Sequence, residues 1–211
     1  MSINLNRVQN LIEKLAFISS APNELTRLAF TEEDEKAHNM IIELCKEYDL
    51  SIRRDSIGNL FIRKAGKEDF LPAVAFGSHI DTVVNAGKFD GPLGSVAGLE
   101  ILLQLCEQNI QTRYPLELII FTCEESSRFN FATLGSKVMC GIVNQEKLSS
   151  LRDKQGKGLS EAMAEVGMNF NLVNQAKRDA KEFKCFFELH IEQGKNNRCC
   201  DRYCCPDSCN C

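Results

Sequence analysis

The chain has 211 residues, 44% hydrophobic and 26% charged, with a formal net charge of −4. That is globular composition, long enough to bury a real core as one large domain or two small ones. A mildly acidic chain is a poor nucleic-acid surface, and no apolar run approaches the ~20 residues a membrane helix needs. The opening MSINLNRVQNLIEKL has no basic stretch ahead of an apolar core, so no secretory signal is read and the cytoplasm is the expected compartment.

Residues 4–18 carry Leu5, Val8, Leu11, Ile12 and Leu15 at helical spacing. Residues 32–48 repeat the pattern with Ala37, Met40, Ile41, Leu44 and Tyr48, and Thr31 ahead of a run of acids is a helix start. Short strands follow at Ser51–Arg54 and Asn59–Arg63 around Ser56-Ile57-Gly58. Ala73–Ser78 reads as a buried strand, and Gly94–Asn109 as a helix burying Val96, Leu99, Leu102, Leu103 and Leu105. Leu116–Cys123 and Cys185–Ile191 read as two further buried strands, with polar helical stretches such as Leu159–Val166 between them. Strands alternating with helices predict an α/β layered fold.

The 11 cysteines are unevenly placed. Cys45, Cys106, Cys123, Cys140 and Cys185 are scattered, and buried reduced thiols are the expectation for them. Cys199, Cys200, Cys204, Cys205, Cys209 and Cys211 crowd the last 13 residues without a histidine or a clean C-x2-C pair, a poor zinc pattern. Cysteine codons read one nucleotide later encode Val or Ala. Removing one A from the codons of Lys195–Asn196 turns the tail, with permissible codons, into a Val/Ile-rich strand. Residues from about Asn196 onward are therefore read as a frameshift product, with 1–194 the start of a catalytic domain and 195–211 a separate tail.

Polar residues follow each buried strand. His79-x-Asp81 and Gly87-Lys88-Phe89-Asp90-Gly91 follow the first, Glu124-Glu125-Ser126-Ser127-Arg128-Phe129 the second, and His190 and Glu192 close the third. In open α/β sheets ligands gather at the carboxyl ends of strands, so His79, Asp90, Glu125 and His190 could converge on one point. Imidazole with carboxylate is a zinc-type donor set. Tandem Glu124-Glu125 allows one carboxylate to bind metal while its neighbour moves a proton, and Asp81 could hold the His79 ring. Singly, each has a blander reading: a packed histidine, a solvated glutamate pair, an Asp-Gly turn. Two of the three histidines fall at strand ends, while His38 lies in a helix among charges and reads as solvent-exposed.

Three stretches carry a resemblance. Gly77-Ser-His-Ile-Asp-Thr-Val-Val-Asn-Ala-Gly-Lys-Phe-Asp-Gly91 with Gly94 and Ala97-Gly98-Leu99-Glu100 is the first. Glu124-Glu-Ser-Ser-Arg-Phe129 with Gly135-Ser-Lys137, and Glu188-Leu-His-Ile-Glu-Gln-Gly194, are the others. In this order they resemble the N-carbamoyl-L-amino-acid hydrolase and allantoate amidohydrolase family, amidases related to aminoacylase and carboxypeptidase-type di-zinc peptidases. The resemblance implies a three-layer α/β, di-zinc exopeptidase-like catalytic domain. It implies that His79 and His190 bind one metal, Asp90 bridges, Glu125 binds the second, Glu124 is the general base and Asp81 orients His79. Arg128, Glu192 and Gln193 are expected to shape the substrate side. The implied reaction is hydrolysis of a linear ureido or amide C–N bond in a small molecule. The implied cofactors are two divalent ions: zinc, or manganese, cobalt or nickel, which such donors also accept.

The family's chain is longer. Its second half adds a lid and dimerisation domain, the basis of a homodimer, and returns a last histidine ligand. No histidine follows His190 here. The expectation is a chain truncated before the lid, with an incomplete and inactive site and an uncovered sheet edge. Two rivals are a non-catalytic metal-binding or regulatory fragment, and a genuine Cys-rich zinc or redox tail, which predicts zinc binding that is lost on truncation after Gly194.

Overall fold

The structure, a computed structural model, describes residues 2–192. Gln193, Gly194 and the Cys-rich segment lie outside the described residues.

Helix α1 (Leu5–Phe17) starts where the Asn4 side chain accepts the Arg7 N–H, and it buries Leu11, Ile12 and Leu15. Helix α2 (Glu32–Cys45) starts at Thr31, whose side chain accepts the Asp34 N–H at 3.3 Å. Four acids in the first turn of α2 complement its dipole. Strands β1 (Ser51–Arg54) and β2 (Leu60–Lys64) form a hairpin with Ser51 opposite Arg63. The Asp55 carboxylate closes its turn by accepting the N–H groups of Ile57, Gly58 and Asn59. Strand β3 (Ala73–His79) leads through helix α3 (Pro92–Glu107) to β4 (Leu116–Phe121), a parallel β-α-β crossover. Three short helices follow: α4 (Leu134–Met139), α5 (Gln145–Leu148) and α6 (Leu159–Glu165). Two 3₁₀ turns then lead into β5 (Phe183–Phe187), which pairs parallel with β3.

The sheet order is β1-β2-β4-β3-β5, antiparallel on the β1 side and parallel on the β5 side. Alternation along the strands sends Leu60, Ile62, Leu118 and Ile120 to one face, where they pack against α1, α2 and α3. Phe61, Ala75 and Ile119 face the other way, toward Met139 and Phe183. A second core, around Phe30, Phe129, Leu134, Leu159 and Met163, fixes the region after β4. Among the described residues, no helix is long and apolar enough to cross a membrane.

Three expectations need correction. His38 is 1% exposed, not solvated: its Nδ1–H donates to the Asp34 carbonyl at 2.9 Å, on a helix face turned inward beside Ala37 and Ile41. The third strand runs Phe183–Phe187 and is not buried, with Phe187 61% exposed. It has one neighbour, β3, so among the described residues one edge and much of its surface stay open. The scattered thiols are all free, but only Cys45 and Cys123 are buried and Cys140 is exposed.

Candidate metal centre

His79 is the last residue of β3, and its carbonyl accepts the Ser95 hydroxyl of α3 at 2.9 Å. Strand pairing with β4 and the packing of α3 therefore set its backbone from both sides. Its Nδ1 lies 2.9 Å from the Asp81 carbonyl oxygen, which can only accept, so Nδ1 carries the proton and the Nε2 lone pair turns outward. Gly91 closes over the ring. A Cβ at this residue, which has a φ of +83°, would stand 2.5 Å from His79 Cε1, so only glycine leaves room.

The loop after β4 meets His79 from the adjacent strand end. Cys123 takes a φ of +48°, a left-handed turn that stops β4 and swings Glu124 and Glu125 across the sheet end. The Asp81 carboxylate then accepts both the Glu124 and the Glu125 backbone N–H at 3.1 Å. On the far side, the start of α4 donates from Thr133, Leu134 and Gly135 to the carbonyls of Glu124, Cys123 and Thr122. Glu124 Oε2 ends 3.7 Å from His79 Nε2.

His190 and Asp90 approach from the solvent side. The segment after β5 is held to β3 by Ser78, whose hydroxyl donates to Glu188 at 2.8 Å. It is held to α3 by Gly94, where a Cβ would stand 2.3 Å from the Leu189 carbonyl. His190 Nδ1–H donates to the Ile191 carbonyl, which leaves Nε2 as an acceptor 3.2 Å from Asp90 Oδ1.

Two groups of donors result, sharing His79: His79, Asp90 and His190, and His79, Glu124 and Glu125. Within each group the ligating atoms lie within 4.8 Å of one another. The four expected ligands, His79, Asp90, Glu125 and His190, and the expected base Glu124 therefore all fall in these two groups. The electrostatics follow from crowding. Burial pushes the Asp81 carboxyl up to about 7, against the pull of the His79 ring. Burial works against charge on His79, but the Asp81 and Glu124 carboxylates outweigh it and raise its pKa above the ordinary histidine value. Burial raises Glu125 as well, partly opposed by His79. A concentration of negative charge with two outward imidazole lone pairs fits a divalent cation.

Two expectations about neighbours change. Asp81 orients His79 through its backbone carbonyl; its carboxylate, 3.7 Å from Nδ1, holds the Glu124-Glu125 backbone. Arg128 does not line the site: its guanidinium donates to the Ala29 and Phe30 carbonyls and lies 3.6 Å from Asp153. Glu192 is exposed, and Gln193 lies outside the described residues. Sequence reasoning missed Gly91, Ser95 and the Ser78–Glu188 pair. The Asp-Gly-Pro run at residues 90–92 was the available signal for Gly91, since Pro opens a helix and the residue before it must turn.

Residues 75–201 match peptidase family M20/M25/M40. The chain belongs to this family. It is 40% identical over 171 residues to the N-carbamoyl-L-amino acid amidohydrolase of Geobacillus stearothermophilus, covering 81% of this chain and 42% of that protein. It is 36% identical over 191 residues to the allantoate amidohydrolase of Bacillus subtilis, covering 90% of this chain and 46% of that protein. The crystal structure of a hydantoinase/carbamoylase family amidase from Burkholderia ambifaria superposes with a TM-score of 0.83 at 32% identity, over 93% of this chain and 47% of that one. The chain thus spans less than half the length of these M20-family relatives, and the resemblance read from its three motifs holds.

Proposed function

We propose that the chain carries the metal-binding half of an amidohydrolase that cleaves a linear ureido or amide C–N bond. The substrate is a small molecule of the N-carbamoyl-L-amino-acid or allantoate class, as the relatives' names suggest. The observation that carries the reading is the gathering of His79, Asp90 and His190 within ligating distance of one another at the strand ends, with Glu124 and Glu125 grouped about the same His79 ring. His79, Asp90 and His190 hold one divalent ion, zinc being the usual choice for such donors, with manganese, cobalt or nickel accepted. Glu125 would serve the second ion.

Divalent ions held by this donor set would supply Lewis-acid polarisation of a carbonyl and acidification of a water molecule. Glu124 is the general base: it takes the proton from that water and returns it to the departing nitrogen. Its backbone is fixed by Asp81 and its side chain is half-buried, so it can reach both substrate and solvent. Asp81 holds His79 in the tautomer that aims Nε2 at the cluster.

Glu125 has no second imidazole in its group among the described residues. The described residues therefore give the second ion the poorer donor set. In a full-length version, Glu124→Gln is expected to abolish turnover of N-carbamoyl amino acids and allantoate while metal content stays at wild type. Substantial residual turnover would remove Glu124 from the base role.

A further inference from the structure

Arg27 is a fully buried cation that the chemistry above does not use. Its side chain reaches the loop that leaves β3: Nε donates to the Ile80 carbonyl at 2.8 Å. Its backbone N–H donates to the Thr82 hydroxyl at 2.9 Å, and its carbonyl accepts the Thr82 N–H at 2.8 Å. The remaining contacts of Nη1 go to the Leu15 and Ile18 carbonyls at the end of α1. The neighbours of Arg27 hold on to the same loop, for Thr26 Oγ1 accepts the Asn85 N–H and the Leu25 carbonyl accepts the Ala86 N–H. Thus residues on both sides of Asp81 are fixed by one side chain and one peptide unit.

Asp81 is the junction of the metal centre. Its carbonyl sets the His79 ring, and its carboxylate sets the Glu124-Glu125 backbone. Whatever fixes Asp81 fixes both donor groups. A neutral residue could anchor the loop by its backbone alone. A guanidinium adds the Ile80 contact and places a permanent positive charge where the Asp34 and Asp81 carboxylates act on it. Burial lowers the Arg27 pKa and these two carboxylates oppose the drop. Removing one member of such a buried charge set leaves the others uncompensated.

We propose that Arg27 is a positioning residue for the metal centre: it acts through Ile80 and Thr82 to hold Asp81, and through Asp81 to hold His79, Glu124 and Glu125. This rests on the reading of His79 as a metal ligand, and the test separates the two. The 211-residue chain is titrated with Co2+, and binding is read from the visible absorption of the bound ion. Arg27→Lys keeps the charge but loses the planar fork, and is expected to bind Co2+ about 10-fold more weakly, with a changed band shape. Arg27→Met is expected to bind on the order of 100-fold more weakly. Thr82→Val removes the acceptor for the Arg27 N–H without touching charge, and is expected to weaken Co2+ binding several-fold.

His79→Ala is titrated alongside. Wild-type Co2+ affinity in His79→Ala would sink the ligand reading itself. Loss there, with wild-type affinity and spectrum in correctly folded Arg27→Lys and Thr82→Val, would overturn the role of Arg27. A role in folding alone would lower the melting temperature of Arg27→Lys and leave the cobalt spectrum unmoved, which also overturns the proposal. If Arg27→Met does not fold, Arg27→Lys and Thr82→Val decide.

Discussion

The two sides of the candidate metal centre are built differently. His79 and Asp81 are each 2% exposed, set by the β3–β4 ladder, α3 and the segment around Arg27. His190, with its side chain 43% exposed, sits on a segment past the edge strand β5, held by Ser78 and by close approach to Gly94. The inner side is a consequence of the core. The outer side has little apolar packing behind it, so a bound cation between His190 and Asp90 contributes a larger share of its order. A protein can then fold before it is loaded and still tighten its site on binding.

Substitution breaks the contrast most sharply at Ile80 and Leu189, the apolar neighbours of His79 and His190. Ile80 is fully buried in the main core, and Ile80→Ala is expected to cost about 2–5 kcal/mol in denaturant unfolding. Asp81→Ala leaves two backbone N–H groups without their acceptor, a loss of about 1–3 kcal/mol together with weaker metal binding. Gly91→Ala puts a methyl against the His79 ring at a left-handed residue. It should cost about 1–2 kcal/mol and, unlike Ile80→Ala, show its main effect in metal titration. Leu189→Ala is expected within about 0.5 kcal/mol of wild type by the same unfolding measurement. Equal losses at Ile80 and Leu189 would erase the distinction.

Much of this was legible beforehand, for identifiable reasons. Helices α1 and α2 carry period-3.6 apolar stripes, α3 is apolar and buried on most of its faces, and Thr31 before a run of acids marked the start of α2. His79 and His190 stood out because imidazoles just past apolar runs are rare in a chain with three histidines. Local pattern failed where tertiary packing decides. His38 sits between charges in sequence, yet its helix face turns inward, and its ring finds a carbonyl one turn back. Arg128 follows two site glutamates in the chain, but the tight turn carries its guanidinium toward Ala29 and Phe30. The stretch Cys185–Ile191 reads as a buried strand because it is largely apolar; the strand starts and ends earlier, at Phe183–Phe187, and hydrophobicity alone does not say whether a neighbour lies beyond it. Arg27 gave no sequence signal, because a charged residue in an N-terminal loop looks solvated until the fold closes around it.

The most direct test is metal analysis of the purified 211-residue chain after loading with Zn2+ and removal of free ion, compared with His79→Ala and Asp90→Ala. The account predicts one tightly held ion in the wild-type chain and none in either variant. Zinc content unchanged by both substitutions would contradict it, and would move the metal site away from these strand ends.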